Sequence, residues 1–114
     1  MKYEVPDTLS HEAAEAIATG GDAPALSKAI VSLSLSDPEL HWTADFLFRL
    51  TQHPSPNVRG NALLGFGHLA RRFRALPDRD AAAAAVKAGL ADPDAFVRGQ
   101  ADCAADDLAL FLPP

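Results

Sequence analysis

The sequence predicts an all-α fold, and three observations support that prediction. Hydrophobic residues make up 48% of the 114 positions, and alanine dominates them, whereas β-branched residues are few. Alanine has the highest helix propensity, while Val, Ile and Thr pack best in strands. Apolar residues also recur at helical spacing in six segments, separated by short breaks rich in Pro, Asp and Gly. We therefore expect one helical domain over residues 1–114, built from about three antiparallel hairpins.

The first predicted hairpin covers residues 8–35. Ser10 is a suitable N-cap for "HEAAEAIAT", and the two glycines that follow end that helix. Asp22 is the expected start of "APALSKAIVSLSL", with Pro24 in the first turn, where the missing N–H does no harm.

The second predicted hairpin covers residues 38–75. Asp37 and Pro38 give the start signal for "ELHWTADFLFRLTQ", in which apolar residues recur four positions apart. Ser55 and Pro56 begin the fourth helix. Its apolar stripe runs along one face through Val58, Ala62, Phe66, Leu69 and Phe73.

The third predicted hairpin covers residues 78–112. Asp78 precedes "RDAAAAAVKAGLA", whose apolar positions keep the helical period. Asp92 and Pro93 lead into the sixth helix, whose stripe consists of Val97, Ala101, Ala104, Leu108 and Phe111.

Two stretches of the chain are near-copies. "HPSPNVRGNA" ends at Ala62 and "DPDAFVRGQA" ends at Ala101, and matching residues differ by 39 positions, as Val58 and Val97 do. A period near 40 residues, made of two helices, is typical of HEAT and armadillo solenoids. We therefore expect the second and third hairpins to be near-copies that stack side by side.

Both stretches resemble the HEAT-repeat pattern, in which Asp-Pro-x-x-x-Val-Arg-x-x-Ala begins the second helix of each unit. The match is good at 92–101 and fair at 53–62, where His53 replaces the Asp. Asp37 and Pro38 keep the turn without the Val-Arg pair, so the first half is a degenerate repeat. The resemblance implies a right-handed α-α superhelix of about three hairpins.

The sequences from Val58 to Arg71 and from Ala104 to Leu112 are similar to those of a group of small bacterial HEAT-like proteins. Some of these are regarded as immunity proteins that neutralise a toxin encoded beside them. The resemblance therefore implies a non-catalytic module that binds a protein partner.

Arg59 and Arg98 occupy the same position in the two copies. In HEAT repeats this arginine ladder is structural, so we expect each guanidinium to reach carboxylates or loop carbonyls of an adjacent unit. Contact with a partner protein is the alternative for both.

His68 lies in "GFGHLARRFR", in the fourth predicted helix. Gly65 and Gly67 are poor helix residues and indicate close contact between helices, with His68 hydrogen-bonded at the edge. A functional His68, next to Arg72 on a ligand-facing surface, is the alternative.

A basic cluster covers positions 71–79 and consists of Arg71, Arg72, Arg74 and Arg79. Cations are favourable at the C-terminal end of a helix, which explains most of it. A site for phosphate or nucleic acid is the alternative. Nucleic acid is disfavoured because the net charge is −5, and nucleic-acid affinity depends largely on pairing cations with phosphates.

Asp102 and Asp106 are four residues apart and are expected to be exposed, away from the apolar stripe. A solvated surface is one interpretation, and an acidic surface that binds a basic protein, such as a nuclease toxin, is the other. We place the expected partner-binding surface around Arg59, His68, Arg72, Arg98, Asp102 and Asp106.

The sequence gives little reason to expect catalysis. His11 and Glu12 form a single His-Glu pair, whereas HEAT-type di-iron hydroxylases combine several, and no other histidine has metal-ligand spacing. Cys103 has no neighbouring base and is expected to be half-buried. Trp42 is either a core residue or a binding hot spot. We expect neither catalytic residues, nor a metal, nor a cofactor.

The N-terminal stretch "MKYEVPDTLS" lacks the apolar centre of a signal peptide, and no apolar run is long enough to span a membrane. A single cysteine suits a reducing compartment. We therefore expect a cytoplasmic protein without membrane contact, present as a monomer or weak homodimer.

Overall fold

The computed structural model describes residues 9–114. Within this range the chain forms six α-helices and no strands, so the all-α prediction is confirmed. The first position of the predicted first hairpin, Thr8, lies outside the described residues. The helices are α1 (His11–Thr19), α2 (Ala23–Ser36), α3 (Leu40–Leu50), α4 (Pro56–Phe73), α5 (Arg79–Gly89) and α6 (Ala95–Phe111).

Side-chain caps define the start of three helices. The side chains of Ser10 and Asp22 accept hydrogen bonds from backbone amides of the first turns of α1 and α2, as predicted. Asp94 caps α6 in the same way, and its carboxylate accepts from the amide of Phe96 at 2.8 Å. Asp37 is not the cap of α3 as predicted, because Glu39 is the N-cap residue and Asp37 instead ends α2; the helix itself begins one residue after the start of the predicted segment.

The even-numbered helices pack side by side in the order α2, α4, α6, so that α4 contacts both of the others. Each odd-numbered helix packs against the even-numbered helix that follows it. Short connections and this pairing place three helical hairpins next to one another. The right-handed superhelical twist remains a prediction.

The core is centred on α4. Its stripe residues Val58, Ala62, Phe66 and Leu69 are fully buried, while Phe73 is half-buried. Val97 is fully buried as well, so both valines of the near-copies lie in the core. Facing side chains from α2 and α3 complete the centre of the core, and the fully buried ones are Ile30, Leu33, Phe46 and Leu47.

Two glycines let neighbouring helices approach α4 closely. A methyl group on Gly65 would lie 2.5 Å from Ser34 Oγ and 2.8 Å from a methyl carbon of Leu47. A methyl group on Gly67 would lie 3.3 Å from the Cα atom of Ala104 on α6. The predicted role of both glycines in close helix contact is confirmed.

Candidate partner-binding surface

Arg59 joins the second hairpin to the third. Its Nε and Nη2 donate to the two carboxylate oxygens of Asp92, at 3.0 and 2.9 Å, and Nη1 donates to the backbone carbonyls of His53 and Pro54 at 3.1 Å. This fork geometry is the strong form of an arginine–carboxylate pair. It lowers the pKa of Asp92, helped by a hydrogen bond from the amide of Asp94. The expected contact with an adjacent unit is confirmed for Arg59.

Arg98 repeats only part of this arrangement. Its Nη1 donates to the carbonyls of Asp92 and Pro93, at 2.8 and 3.0 Å, within the loop that precedes its own helix. Within residues 9–114 no carboxylate pairs with it. The side chain is exposed, so the expected contact with an adjacent unit is wrong for Arg98 in the described structure.

Arg72 faces the end of α2. Its Nη1 donates to the carbonyl of Ser34 at 2.9 Å and its Nη2 to that of Asp37 at 2.8 Å. The last carbonyls of a helix lack partners within the helix, so this guanidinium caps α2. Burial lowers the pKa of Arg72, while the Asp37 carboxylate opposes that change.

His68 is half-buried on α4, and its Nδ1 lies 3.3 Å from Arg71 Nη2. Burial is the main cause that lowers the pKa of His68, and the neighbouring Arg71 adds to it. The charge of Asp107 on α6 acts in the opposite direction. His68 therefore lies at the edge of the contact between α4 and α6.

The basic cluster at positions 71–79 does not present one surface. Arg71 contacts His68, Arg72 caps α2, and the Arg74 guanidinium lies 5.0 Å from the ring centre of Phe111. Arg79 is exposed at the start of α5. Three of the four cations therefore contact different parts of the scaffold.

The outward side of α6 carries exposed charges. Arg98, Asp102 and Asp106 recur every fourth residue, so they share one side of the helix. Leu110 continues this line and is 72% exposed. None of the three charged residues forms an ion pair with another described residue. We call Arg98, Asp102 and Asp106 the α6 stripe.

Cys103 is exposed, which corrects the expectation of a half-buried thiol. It lies next to Asp102 and only two positions from buried Ala101, and that spacing turns its side chain away from the core. The sequence proximity of Ala101 and Ala104 was misleading because helical position, not nearness along the chain, decides burial.

A buried polar network joins α1, α2 and α3, and no pattern in the sequence indicates it. The Asp37 carboxylate is almost fully buried and accepts hydrogen bonds from Thr43 Oγ1 at 2.7 Å and from the amide of Glu39 at 3.1 Å. His11 Nε2 lies 3.0 Å from the same carboxylate. The Trp42 ring stacks on His11 with ring centres 3.6 Å apart.

This network accounts for Trp42, which is half-buried against the core. It also explains why Asp37, which was predicted to start α3, is buried instead.

No three His, Cys, Asp or Glu side chains of residues 9–114 are grouped so that they could hold a metal ion. Within the same range, no helix combines the length and the apolar character needed to cross a bilayer.

The six residues predicted for partner binding therefore fall into two groups. Arg59, His68 and Arg72 contact other parts of the scaffold, while the α6 stripe is exposed and has no ion pair with another residue of the range 9–114. Their role in binding stays a prediction.

The geometry defines a class: an all-α protein of three neighbouring hairpins with an exposed polar helix face. No family model and no curated protein matches the chain. The HEAT-repeat resemblance therefore stays a prediction from the sequence. Among solved structures, the chain is similar to one from the crystal structure of a CDI complex from Cupriavidus taiwanensis LMG 19424. The two are 25% identical, with a TM-score of 0.77, and the similarity covers 97% of each chain.

Proposed function

We propose that this protein is a non-catalytic binding module that neutralises a cognate toxin as an immunity protein. The observation that carries the proposal is the similarity, over 97% of both chains, to a chain of a CDI complex. CDI denotes contact-dependent inhibition, in which a toxin pairs with an immunity protein. Such a protein acts in the cytoplasm, and we expect it to be a monomer or weak homodimer before it binds.

The surface of the described residues suits protein recognition. Several large apolar side chains are exposed: Val31, Leu35, Leu90, Phe96 and Leu110. Phe96 and Leu110 lie on α6, the helix that also carries the exposed Arg98, Asp102 and Asp106, so this helix offers both apolar and charged groups to a partner. The helices that carry these side chains are held by a packed core, which keeps the surface preorganised.

The proposed partner is basic. The chain has a net charge of −5, and Asp102 and Asp106 lie exposed on α6 without cationic partners among the described residues. A toxin that cleaves nucleic acid needs cations to bind phosphates. An acidic surface attracts such a protein, accelerates association and blocks its cationic surface.

Binding of nucleic acid or a phosphate ligand through positions 71–79 is a weaker candidate. Arg72 caps α2 and Arg74 lies over Phe111, so the four cations do not converge on one ligand. A HEAT-type metalloenzyme has less support still, since the His11 side chain faces Asp37 and stacks on Trp42. A shift of labelled DNA or RNA that weakens strongly with salt would favour the first of these alternatives.

The experiment begins with capture of binding proteins from a native lysate, and mass spectrometry identifies them. Each captured protein is then expressed alone and together with this chain in a host that lacks both. We expect one basic protein that stops growth alone and is harmless when the chain is present.

The matched control is an Ile30→Asp variant, which places a charge in the core and unfolds the chain. It should fail to restore growth. If the native chain captures only proteins that leave growth unchanged, or fails to protect against a captured toxin, the proposal is wrong.

A further inference from the structure

The internal repeat provides a template for interpreting Arg98. In both copies the arginine Nη1 donates to the backbone carbonyls five and six residues earlier, with distances between 2.8 and 3.1 Å. Both guanidinium groups are therefore held against the loop before their helix. Because two carbonyls anchor each group, little side-chain freedom is left to lose when a further ligand binds.

The two arginines differ in their remaining donors. Arg59 Nε and Nη2 bind the two oxygens of the Asp92 carboxylate, which comes from the next hairpin. Arg98 Nε and Nη2 have no hydrogen-bond partner among residues 9–114. Arg98 thus holds its Nε and Nη2 donors in the same way as Arg59, but no carboxylate of the described residues occupies the place that Asp92 has on Arg59.

The space beside this fork is open as well. The ring of Phe96 on α6 covers Gly60 on α4 so closely that a methyl group on Gly60 would lie 2.7 Å from the ring. The equivalent glycine on α6, Gly99, has no other atoms within 4 Å of the same position. A docked surface therefore has room for a side chain directly next to Arg98.

Another hairpin of the same kind does not suit this position. Leu63 on α4 is buried and packs against Gly89 at the end of α5, and its equivalent on α6 is Asp102. Gly67 packs on Ala104, and its equivalent is Asp106. A stacked apolar hairpin would bury both carboxylates without cations, which is strongly unfavourable. An occupant must bring cations to these two positions.

From these contacts we propose that the α6 stripe is the docking surface for the toxin, with Arg98 as a carboxylate-binding residue. The inference rests on the proposed function. The partner surface carries an Asp or Glu that takes the place Asp92 has on Arg59, next to Lys or Arg side chains that face Asp102 and Asp106. The charge order along α6 thereby fixes the orientation of a basic partner.

The first test needs no toxin. Sodium acetate is added at constant ionic strength to the labelled full chain, and NMR follows the Nε–Hε signals of the arginines. We expect the Arg98 signal to move several times further than that of exposed Arg79, while the Arg59 signal stays in place. A response of Arg98 no larger than that of Arg79 overturns the inference.

The matched control removes the carboxylate that Arg59 binds, so that its donors become free like those of Arg98. In the Asp92→Ala variant, Arg59 loses its carboxylate and should gain a response to acetate like that of Arg98. Absence of that gain would mean that the anchored fork does not bind carboxylates, and would also overturn the inference.

The second test uses the toxin identified by capture. Arg98→Glu should weaken binding at least tenfold, and Asp102→Lys should weaken it by a similar factor, because each brings like charges together. Arg79→Glu is the control and should leave the dissociation constant unchanged. If the native chain neutralises the toxin and the α6 stripe variants bind as tightly as it does, the docking surface is wrong while the proposed function stands.

Discussion

Gly65 lies where α4 comes into close contact with α2 and α3, and its replacement by alanine tests the packing of the hairpins. Gly99 is a matched control, because it is also inside a helix but has open space around it. In both positions alanine gains about 1 kcal/mol of helix propensity over glycine. At Gly65 the added carbon would lie 2.5 Å from Ser34 Oγ and 2.8 and 3.0 Å from the two methyl carbons of Leu47.

Ser34 and Leu47 are fully buried, so neither side chain moves without displacing others. Overpacking of this kind costs roughly 1–3 kcal/mol. Gly99→Ala should therefore raise the free energy of unfolding by up to about 1 kcal/mol. Gly65→Ala should lower it by about 0–2 kcal/mol, so that the two variants differ by roughly 1–3 kcal/mol.

Urea denaturation followed by helical circular dichroism measures both free energies, and the m-value shows whether unfolding stays two-state. Thermal midpoints should separate by at least about 4 °C. Equal stabilisation by the two variants would refute the close approach of α2 and α3 to α4.

Three further predictions concern polar contacts. Asp37→Ala leaves the buried hydroxyl of Thr43 without its acceptor, so it should lower the free energy of unfolding by about 1–3 kcal/mol, and an unchanged urea midpoint would contradict the network. Arg59→Lys loses the two-oxygen pairing with Asp92 and should lower the thermal midpoint more than Arg98→Lys; equal losses would contradict the role of that pair. Burial lowers the pKa of His68, so protonation favours the unfolded chain and stability falls as pH drops below about 6.5. His68→Gln should flatten this part of the pH–stability curve, and an unchanged slope between about pH 7 and 5 would refute the assignment.

The fold was predictable because its determinants are local. Apolar spacing along each helix and capping residues such as Ser10 and Asp22 lie within a few positions of one another. The two near-copies, offset by 39 positions, then related Arg59 to Arg98 and Val58 to Val97 without any knowledge of the structure.

The polar contacts between distant segments were harder to predict. Asp37 lies 26 positions from His11, and Arg72 lies 38 positions from the Ser34 carbonyl that it binds. An aspartate before a proline is typical of a helix start, so the local pattern favoured a cap over a buried network. No spacing rule connects residues that meet only after two hairpins have packed.

The difference between Arg59 and Arg98 illustrates the same limit. Their sequence contexts are nearly identical, yet only Arg59 has a following hairpin within the described residues to supply a carboxylate. The repeat predicted the same contact for both arginines, and the structure shows that contact with an adjacent unit for Arg59 alone.

Titration calorimetry between the purified chain and its captured toxin measures the direct binding on which neutralisation depends. We expect one-to-one binding with a dissociation constant on the order of nanomolar, which weakens as salt rises and weakens further in an Asp102→Asn, Asp106→Asn double variant. If the folded chain gives no binding heat with that toxin at micromolar concentrations, direct neutralisation by this helical surface is contradicted.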